Sequence, residues 1–529
     1  MLVNLSKYIF FSLGLCLILS ASDLLAQVRP ATNSNRIQIK QADVLVGQTN
    51  AYRKLRGNVI LTQKTSTIYC DSVTLDDLRN EAKAYGNVRI IDSEDPVVIT
   101  SKYLLYEGNT RIVRLRDKVV MRDDKSTLYT DQLDYERETG ISYYYDGGKL
   151  VDTTNVLTSE RGTYNSITKK AVFVKKVVLV NPDYTLNSDT LDYYTDTKIA
   201  TTEGLTKIVS KNDDLLTARE GLKYDTRQET FEFYQGRIEN DKSITEGDWL
   251  FYDKPKMFYE GKGDVSLYSK EREMYILGDE GEYYEDRGFS KVFGKALMKK
   301  LFENDTLFVA ADTLISQDSP DIKEKYVSAY YGVRIFKNDL QGLADSLAYQ
   351  FTDSTIYLYN DPILWSEENQ MEADSMRILT ANEAIDKIYM KDRSFVTSKD
   401  TSDNFNQIKG REMLTHLKDE QISKVDVSGN AESIYYVWEK DSILMGMNKL
   451  ICSDMLILFL DGKVSRIKAM VKPEGTLTPP DEFVEDQRLL QGFAWRVEER
   501  TTYDDILAWR RAAVRRKLLQ EELDQLDEK

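Results

Sequence analysis

A short sequence pattern returns along this chain about every 30 residues. A turn residue, usually glycine, is followed by alternating apolar and polar residues, so that LRGNVIL at 55–61 returns as AYGNVRI at 84–90. Later copies are centred on Asp117, Gly147, Gly204, Gly236, Gly261 or Gly263, Gly294, Gly332 and Gly429. A fixed period of this length indicates one supersecondary unit that is stacked on copies of itself.

Each repeat also has a recognisable second half, in which an acidic residue precedes an apolar alternation. It reads IYCDSVTL at 68–75, LYTDQLDY at 128–135 and LNSDTLDY at 186–193. Apolar residues at every second position predict strands with one buried face. We interpret the acidic residues as caps of the turns between strands: Asp71, Asp131, Asp189 and Asp345. About thirteen strand–turn–strand units fit between residues 36 and 471.

The composition agrees with a strand-rich chain and excludes some classes of protein. Hydrophobic residues make up 41% of the sequence and tyrosine occurs 33 times, which argues against disorder and favours strands. The net charge of −16 argues against nucleic-acid binding, because a phosphate-binding surface needs a basic excess.

The N-terminus has the features of a signal peptide at residues 1–26. Lys7 precedes an apolar run at 8–19, and Ala26 marks a small residue at the expected cleavage point. We therefore expect an exported chain. Leu15 before Cys16 argues against lipid attachment.

Residues that would carry catalysis or hold a metal are scarce. His416 is the one histidine, and it lies in a polar stretch that predicts a strand edge or turn. The acidic residues recur in every repeat, whereas a catalytic pair should be unique. Cys70 and Cys452 lack the spacing of a metal site or a disulfide framework. We predict no catalytic residues, no metal site and no cofactor.

The last part of the chain, residues 472–529, has a different character. Pro473, Pro479 and Pro480 end the strand pattern, and Thr502 with Asp505 approximates a helix capping box before a predicted helix over 504–526. This segment is expected either to pack over the end of the strand stack, where it covers exposed strand edges, or to dock on a membrane partner.

The signal peptide, the recurrent Gly-Asn-Val opening at 57–59 and 86–88, and the Asp-x-Leu-x-Tyr strand at 131–135 resemble the OstA-like family. This family contains the periplasmic lipopolysaccharide-transport protein LptA and the N-terminal domain of LptD. The resemblance implies an all-β fold, an elongated repeat-built antiparallel β-jellyroll over residues 27–471 with a short C-terminal helical segment. It also implies lipopolysaccharide as the ligand, other jellyroll proteins as partners through strand-edge pairing, contact with the outer-membrane assembly, and a periplasmic location.

In register with the repeat, one set of apolar residues points to a single face, and the resemblance makes this face a lipid groove. The candidate groove residues are Val59, Leu61, Val88, Ile90, Val119, Met121, Val177, Leu179, Val265 and Leu267. The same alternation also suits a closed core.

Three functions are therefore open. The leading one is a periplasmic bridge that shields the acyl chains of lipopolysaccharide. The second is a structural or adhesive exported β-repeat protein with a closed core. The third, a carbohydrate-active enzyme built on a β-helix, is disfavoured because no unique catalytic cluster stands out.

Overall fold

A computed structural model describes residues 35–48, 51–93, 97–123, 126–303, 305–381, 384–400, 402–418, 421–439, 443–460 and 463–510. The predicted signal peptide and residues 511–529, where most of the predicted helix falls, lie outside these described residues. The chain divides into two compact units, residues 1–113 (unit 1) and 114–529 (unit 2).

Both units are built almost wholly from strands. Unit 1 contains Gln38–Gln41 (β1), Val44–Gln48 (β2), Tyr52–Gln63 (β3), Ser66–Asp76 (β4), Glu81–Asp92 (β5) and Val98–Glu107 (β6), and Ile112–Arg122 (β7) crosses the boundary. The first strands of unit 2 are Thr127–Glu136 (β8), Ile141–Tyr144 (β9), Gly148–Val151 (β10), Val156–Ser159 (β11), Arg161–Asn165 (β12), Lys170–Val180 (β13), Tyr184–Tyr194 (β14), Ile199–Thr201 (β15), Thr206–Ser210 (β16), Leu215–Ala218 (β17) and Leu222–Asp225 (β18).

The remaining strands of unit 2 are mostly longer. They are Thr230–Glu239 (β19), Ser243–Asp253 (β20), Phe258–Ser269 (β21), Met274–Tyr284 (β22), Phe289–Leu301 (β23), Thr306–Gln317 (β24), Tyr326–Lys337 (β25), Leu340–Gln350 (β26), Thr355–Tyr359 (β27), Ile363–Ser366 (β28), Asn369–Glu372 (β29), Ser375–Ala381 (β30), Ala384–Lys399 (β31), Phe405–Lys418 (β32), Gln421–Glu439 (β33), Ile443–Leu460 (β34), Lys463–Met470 (β35) and Glu474–Thr478 (β36).

A bulge near the middle of alternate long strands bends these strands. In β3, Arg56 pairs with Ser72 and Val59 pairs with Cys70, so two residues of β3 oppose one residue of β4. Such an extra residue bends a strand and increases its twist. The strand on the far side of β4 repeats the shift between Tyr85 and Val88.

The bulge consists of two consecutive residues with left-handed backbone conformation. The pairs are Gly57 and Asn58, Gly86 and Asn87, Asp117 and Lys118, Lys175 and Lys176, Gly263 and Asp264, Gly294 and Lys295, Tyr331 and Gly332, Asn360 and Asp361, Asp392 and Arg393, Gly429 and Asn430, and Val471 and Lys472. Glycine and asparagine adopt this conformation most readily, which explains the recurrent Gly-Asn of the sequence.

The prediction that the repeat glycine lies in a turn is therefore wrong, and so is the turn-capping role of the repeat aspartates. Asp71 lies opposite the bulge of β5, where its Oδ2 accepts a hydrogen bond from Asn87 Nδ2 at 2.9 Å. Asp345 accepts in the same way from Asn360 at 3.1 Å. Asp131 accepts from the backbone N–H of Lys118, and Asp189 faces the bulge of β13 by register.

The turns between strands are capped by other acidic residues. Asp76 Oδ1 accepts from the backbone N–H groups of Leu78 and Arg79, both at 3.0 Å. Asp225 caps the turn after β18 in the same manner. Carboxylates thus have two separate tasks in each repeat, and the sequence pattern does not distinguish them.

The bends divide each unit into two facing layers. In unit 1, sheet A contains residues 52–56, 72–76, 81–85 and 103–107, and sheet B contains 59–63, 66–70, 88–92 and 98–101. Unit 2 follows the same division, and in places the two halves of a strand are separate elements. There, β9 pairs with β12 in sheet A, while β10 pairs with β11 in sheet B.

Side chains from both sheets fill the space between them. In unit 2 one buried cluster runs from Val292 to Ile457, with Val309 of sheet B and Leu314 of sheet A among its members. The predicted all-β, repeat-built antiparallel jellyroll with a short C-terminal helical segment is confirmed.

The C-terminal segment starts later than predicted and has a different position. Strand β36 pairs with β34, so the strand pattern continues beyond 471. Three short 3-10 turns, Pro480–Glu482, Glu485–Gln487 and Val497–Glu499, follow, and then the helix Tyr503–Trp509 (α1). Thr502 and Asp505 form the predicted capping box. Residues 479–510 pack on the face of strands rather than over the last strand edge. The expectation for the predicted helix stays a prediction, because most of that helix lies outside the described residues.

The structure predicts that two bulge glycines of unit 2 differ in their tolerance of a side chain. A Cβ on Gly263 (φ +71°) would lie 2.4 Å from Asp248 Oδ2, whereas a Cβ on Gly332 (φ +64°) would have no atom within 4 Å. Gly332→Ala should cost about 1 kcal/mol of unfolding free energy from backbone strain alone. Gly263→Ala should cost roughly 2–3 kcal/mol, because the overlap with Asp248 adds to the strain. Urea unfolding followed by circular dichroism would measure both, and equal costs would contradict the proposed contact.

Candidate functional site

The space between sheets A and B holds all ten candidate groove residues. Val59, Val88, Val119, Val177 and Val265 each follow a bulge in sheet B and point inward, with exposures of 1, 1, 1, 1 and 2%. They occupy equivalent positions in five repeats, because the bulge sets the same register in each of these strands. The repeats at Gly147, Gly204 and Gly236 lie between some of them. The structure therefore places these five valines on one inner face of their own unit.

The second residue of each pair lies nearer to the hairpin turns, and here the units differ. In unit 1, Leu61 and Ile90 are buried, at 0 and 6% exposure. In unit 2, the equivalent Met121, Leu179 and Leu267 are half-buried. In these three repeats the inner face thus becomes more accessible with distance from the bends.

We call the side of each unit opposite the bends, where the hairpin turns of sheets A and B meet, the mouth. In unit 1 a polar network crosses it. Gln63 of sheet B donates to the carbonyls of Asn35 and Gly108 at 2.7 and 2.9 Å and accepts from the hydroxyl of Tyr106 in sheet A. Asn80 accepts from the N–H of Ile37 at 3.0 Å. Gln63, Asn80 and Tyr106 are buried, so this network closes the mouth over the core.

In the described part of unit 2, the contacts that cross the mouth include exposed ones. Lys254 Nζ lies 3.4 Å from Asp183 Oδ2, and both side chains are largely exposed. The rings of Tyr184 in sheet B and Tyr224 in sheet A meet edge to face at 6.3 Å. An exposed ion pair contributes at most about 1 kcal/mol, so these contacts resist opening only weakly.

A row of aromatic residues lines the inner face of sheet A at this mouth. Their rings contact one another in sequence at centroid distances of 4.1, 6.3, 4.3 and 5.9 Å: Tyr224, Phe231, Tyr252, Tyr259 and Tyr283. They were not among the predicted groove residues. Tyr224, Phe231 and Tyr252 lie two residues from buried Leu222, Phe233 and Leu250, and this spacing is the signal that would have found these three.

Burial also changes the acidity of groups on the inner faces. Burial, and next the charge of Asp71, raise the pKa of the Cys70 thiol to about 12, although the Ser72 backbone N–H lowers it. Burial likewise raises the pKa of Tyr184 and Tyr259 at the mouth of unit 2. All three groups are neutral at physiological pH, as a surface that contacts hydrocarbon requires.

The first strands of unit 1 leave apolar side chains exposed. A cavity of about 540 Å³ lies at the bend between β1 and β2, with Ile39, Leu45 and Leu55 in its lining. Val44, Leu45 and Val46 are 54, 52 and 50% exposed. Among the described pairings, β1 and β2 pair only with β3.

The residues considered for catalysis have structural contacts. His416 lies near the end of β32, with its Nε2 3.0 Å from Asp426 Oδ2. Within the residues described, no group of three or more metal-binding side chains could hold an ion. The helices in the same ranges are all too short or too polar to cross a membrane.

Comparison with known families finds a match for the N-terminal part of the chain. Residues 34–189 match the family described as OstA-like protein. This segment is OstA-like. The match confirms the predicted family for these residues, and the OstA-like segment includes the first eight candidate groove residues. Val265 and Leu267 lie beyond it.

One solved structure with a likeness to this chain is the crystal structure of LptH from Pseudomonas aeruginosa. LptH is the LptA-homologous periplasmic component of the lipopolysaccharide transport device there. The two sequences are 14% identical over 27% of this chain and 80% of LptH, with a TM-score of 0.14. A TM-score of this size carries no argument about the present fold. No curated protein matches the chain.

Because its pKa is raised by burial, the Cys70 thiol should react slowly while unit 1 is closed. Its alkylation rate therefore reports opening of unit 1. In a variant without residues 1–26 and with Cys452→Ser, alkylation of Cys70 at pH 8 should be at least about a hundredfold slower than that of a free thiol, since the thiolate is the reactive form. Because folding raises this pKa, stability is lost as the pH rises above 9.0, the ordinary value for the thiol, where the unfolded chain ionises. A labelling rate equal to that of the urea-unfolded chain would show that the inner face is open.

Proposed function

We propose that this chain is a lipid-binding bridge of lipopolysaccharide export, which shields acyl chains between sheets A and B. The observation that carries the proposal is the inward apolar row formed by Val59, Val88, Val119 and Val177 within the OstA-like segment. The partly accessible inner residues of unit 2, together with its aromatic row, support an opening through which hydrocarbon chains would enter.

The energies involved are compatible with such an opening. An acyl chain that buries about ten methylenes gains about 8 kcal/mol, at ~0.8 kcal/mol each. Each hydrogen bond lost at the mouth costs about 1 kcal/mol net when water replaces the partner. A lipid with several chains would therefore offset the loss of the few contacts that cross the mouth of unit 2.

A structural role with a closed core is the second candidate, and unit 1 favours it. There both residues of each candidate pair are buried, and the buried network around Gln63 and Tyr106 closes the mouth. If the interior of every repeat stayed as tightly packed as that of unit 1, no acyl chain could enter, because protein interiors leave few voids larger than a water molecule.

The location and partners follow from the same proposal. We place the chain in the periplasm, without catalytic activity and without a cofactor, with association with the outer membrane left open. The exposed apolar residues of β2, and the free edge of β1 and β2 in the described pairings, support strand-edge pairing with another jellyroll protein.

Site-specific photocrosslinking tests the lipid proposal. A crosslinking amino acid at the inward, half-buried Met121 or Leu179 should capture lipopolysaccharide in living cells. The same amino acid at the outward neighbours Arg122 and Val180 should not, because adjacent strand residues point to opposite faces. Half-buried positions are preferable to Val119 and Val177, where a larger side chain would overpack the core.

The outcome separates the candidate functions. Capture at Met121 and Leu179 alone supports the lipid bridge, whereas equal capture at all four positions, or none, leaves the structural role. A crosslinker at Leu45 of β2 examines the partner proposal in parallel, and it should capture a protein rather than a lipid. Absence of any protein adduct there would count against edge pairing.

A further inference from the structure

The C-terminal strap, which we define as residues 479–510, forms a third layer on unit 2. On β23, Ala296 belongs to the core between the sheets, whereas its neighbour Leu297 packs with Ile506 of the strap. On β31, Val396 faces the core, and its neighbour Phe395 packs with Leu490. Adjacent strand residues point to opposite faces, so the strap lies on the outer face of sheet B.

Two buried glutamines of sheet B bind the strap through its backbone. Gln407 donates to the carbonyl of Arg488 at 2.9 Å and accepts from the N–H of Leu490 at 2.8 Å. Gln370 donates to the carbonyl of Ala494 at 2.7 Å and accepts from the N–H of Arg496 at 2.8 Å. Each amide thus pairs with residues i and i+2 of the strap, as a neighbouring strand would pair with an extended peptide.

Aromatic side chains anchor the strap between these bonds. The ring of Phe493 lies 5.1 Å from that of Phe405, and Trp495 lies 5.3 Å from the same ring. Further along, Tyr503 contacts Phe308 and Phe336, each at 5.8 Å. Phe493 and Trp495 flank the exposed Ala494, so this part of the strap presents one side to the sheet.

The described part of the strap ends on a buried arginine. The Arg510 side chain is 3% exposed, and its guanidinium lies 2.9 Å from Asp264 and 3.1 Å from Asp279. It also donates to the carbonyl of Gly278 at 3.0 Å. Asp264 belongs to a bulge and Asp279 faces the bulge at Gly294, so the arginine joins two neighbouring bends. A guanidinium is retained in a buried position only where such partners surround it.

We propose that residues 488–510 of the strap act as an intramolecular peptide ligand. They bind a groove on the outer face of sheet B. The groove recognises an extended segment by the amides of Gln407 and Gln370, by aromatic contacts, and by an arginine slot between Asp264 and Asp279. Bound in this way, the strap links strands β21 to β34 across their outer face. The proposal rests on these contacts alone and is independent of what the interior holds.

The test keeps the whole chain and cuts it only after folding. A protease site inserted between Thr478 and Pro479 allows the strap to be severed from the purified protein. The severed strap should stay bound during size-exclusion chromatography and should exchange with an excess of fluorescent peptide 479–510. Immediate loss of the strap, with no rebinding of the peptide, would overturn the proposal.

Substitutions in the added peptide test the recognition without any effect on folding of the body. Peptides with Leu490→Ala or Arg510→Ala should compete at least about tenfold more weakly than the natural peptide, since these side chains are buried anchors. The matched control is Leu489→Ala, since Leu489 is 41% exposed, and it should compete within about twofold. Equal competition by all three peptides would show that the binding is not specific to the groove.

Hydrogen exchange tests the coupling of the strands. Displacement of the severed strap by the Leu489→Ala peptide should leave backbone exchange in β23 to β34 unchanged. Removal of the strap without replacement should raise backbone exchange throughout these strands, because the strap joins repeats that otherwise contact only their neighbours. A rise in exchange confined to the backbone amides beneath the strap would contradict the proposal that the strap links these strands.

Discussion

The bulge at the middle of alternate long strands is the feature on which the rest of the structure depends. Two consecutive left-handed residues turn the strand from sheet A to sheet B, and an acidic residue of a neighbouring strand accepts a hydrogen bond from the bulge. Gly86 has no room for a side chain beside Asp71. Because every repeat bends at the same register, the inward positions of successive strands align within each unit.

This alignment brings the apolar residues of the alternating pattern together in the interior of each unit. A valine directly after the bulge is buried in each of the five repeats considered, whereas the residue two positions later varies from fully buried in unit 1 to half-buried in unit 2. The interior next to the bends is therefore tightly packed, whereas the burial of side chains near the mouth differs from repeat to repeat. A lipid-binding role depends on the mouth, where the contacts of unit 2 are weaker than the buried network of unit 1.

The C-terminal strap adds a kind of order that a repeat stack lacks. Strands of a stack contact only their neighbours, so distant repeats are coupled weakly. The strap contacts β32, β29 and β23 in turn and ends at the bulges of β21 and β23. It also covers apolar side chains such as Phe395 and Phe308 on the outer face of sheet B, which would otherwise be exposed to water.

The sequence by itself determined the strands, the repeat, the inward set of residues and the capping box at Thr502, because these depend on local periodicity and on chemistry within a few residues. It placed Gly57 and Gly86 in turns, however, and made Asp71 a turn cap. Only the tertiary structure decided that they form bulges, since a bulge exists only relative to a paired strand. The position of the strap was likewise decided by contacts such as Arg510 with Asp264, which join residues far apart in sequence and therefore leave no periodic signal.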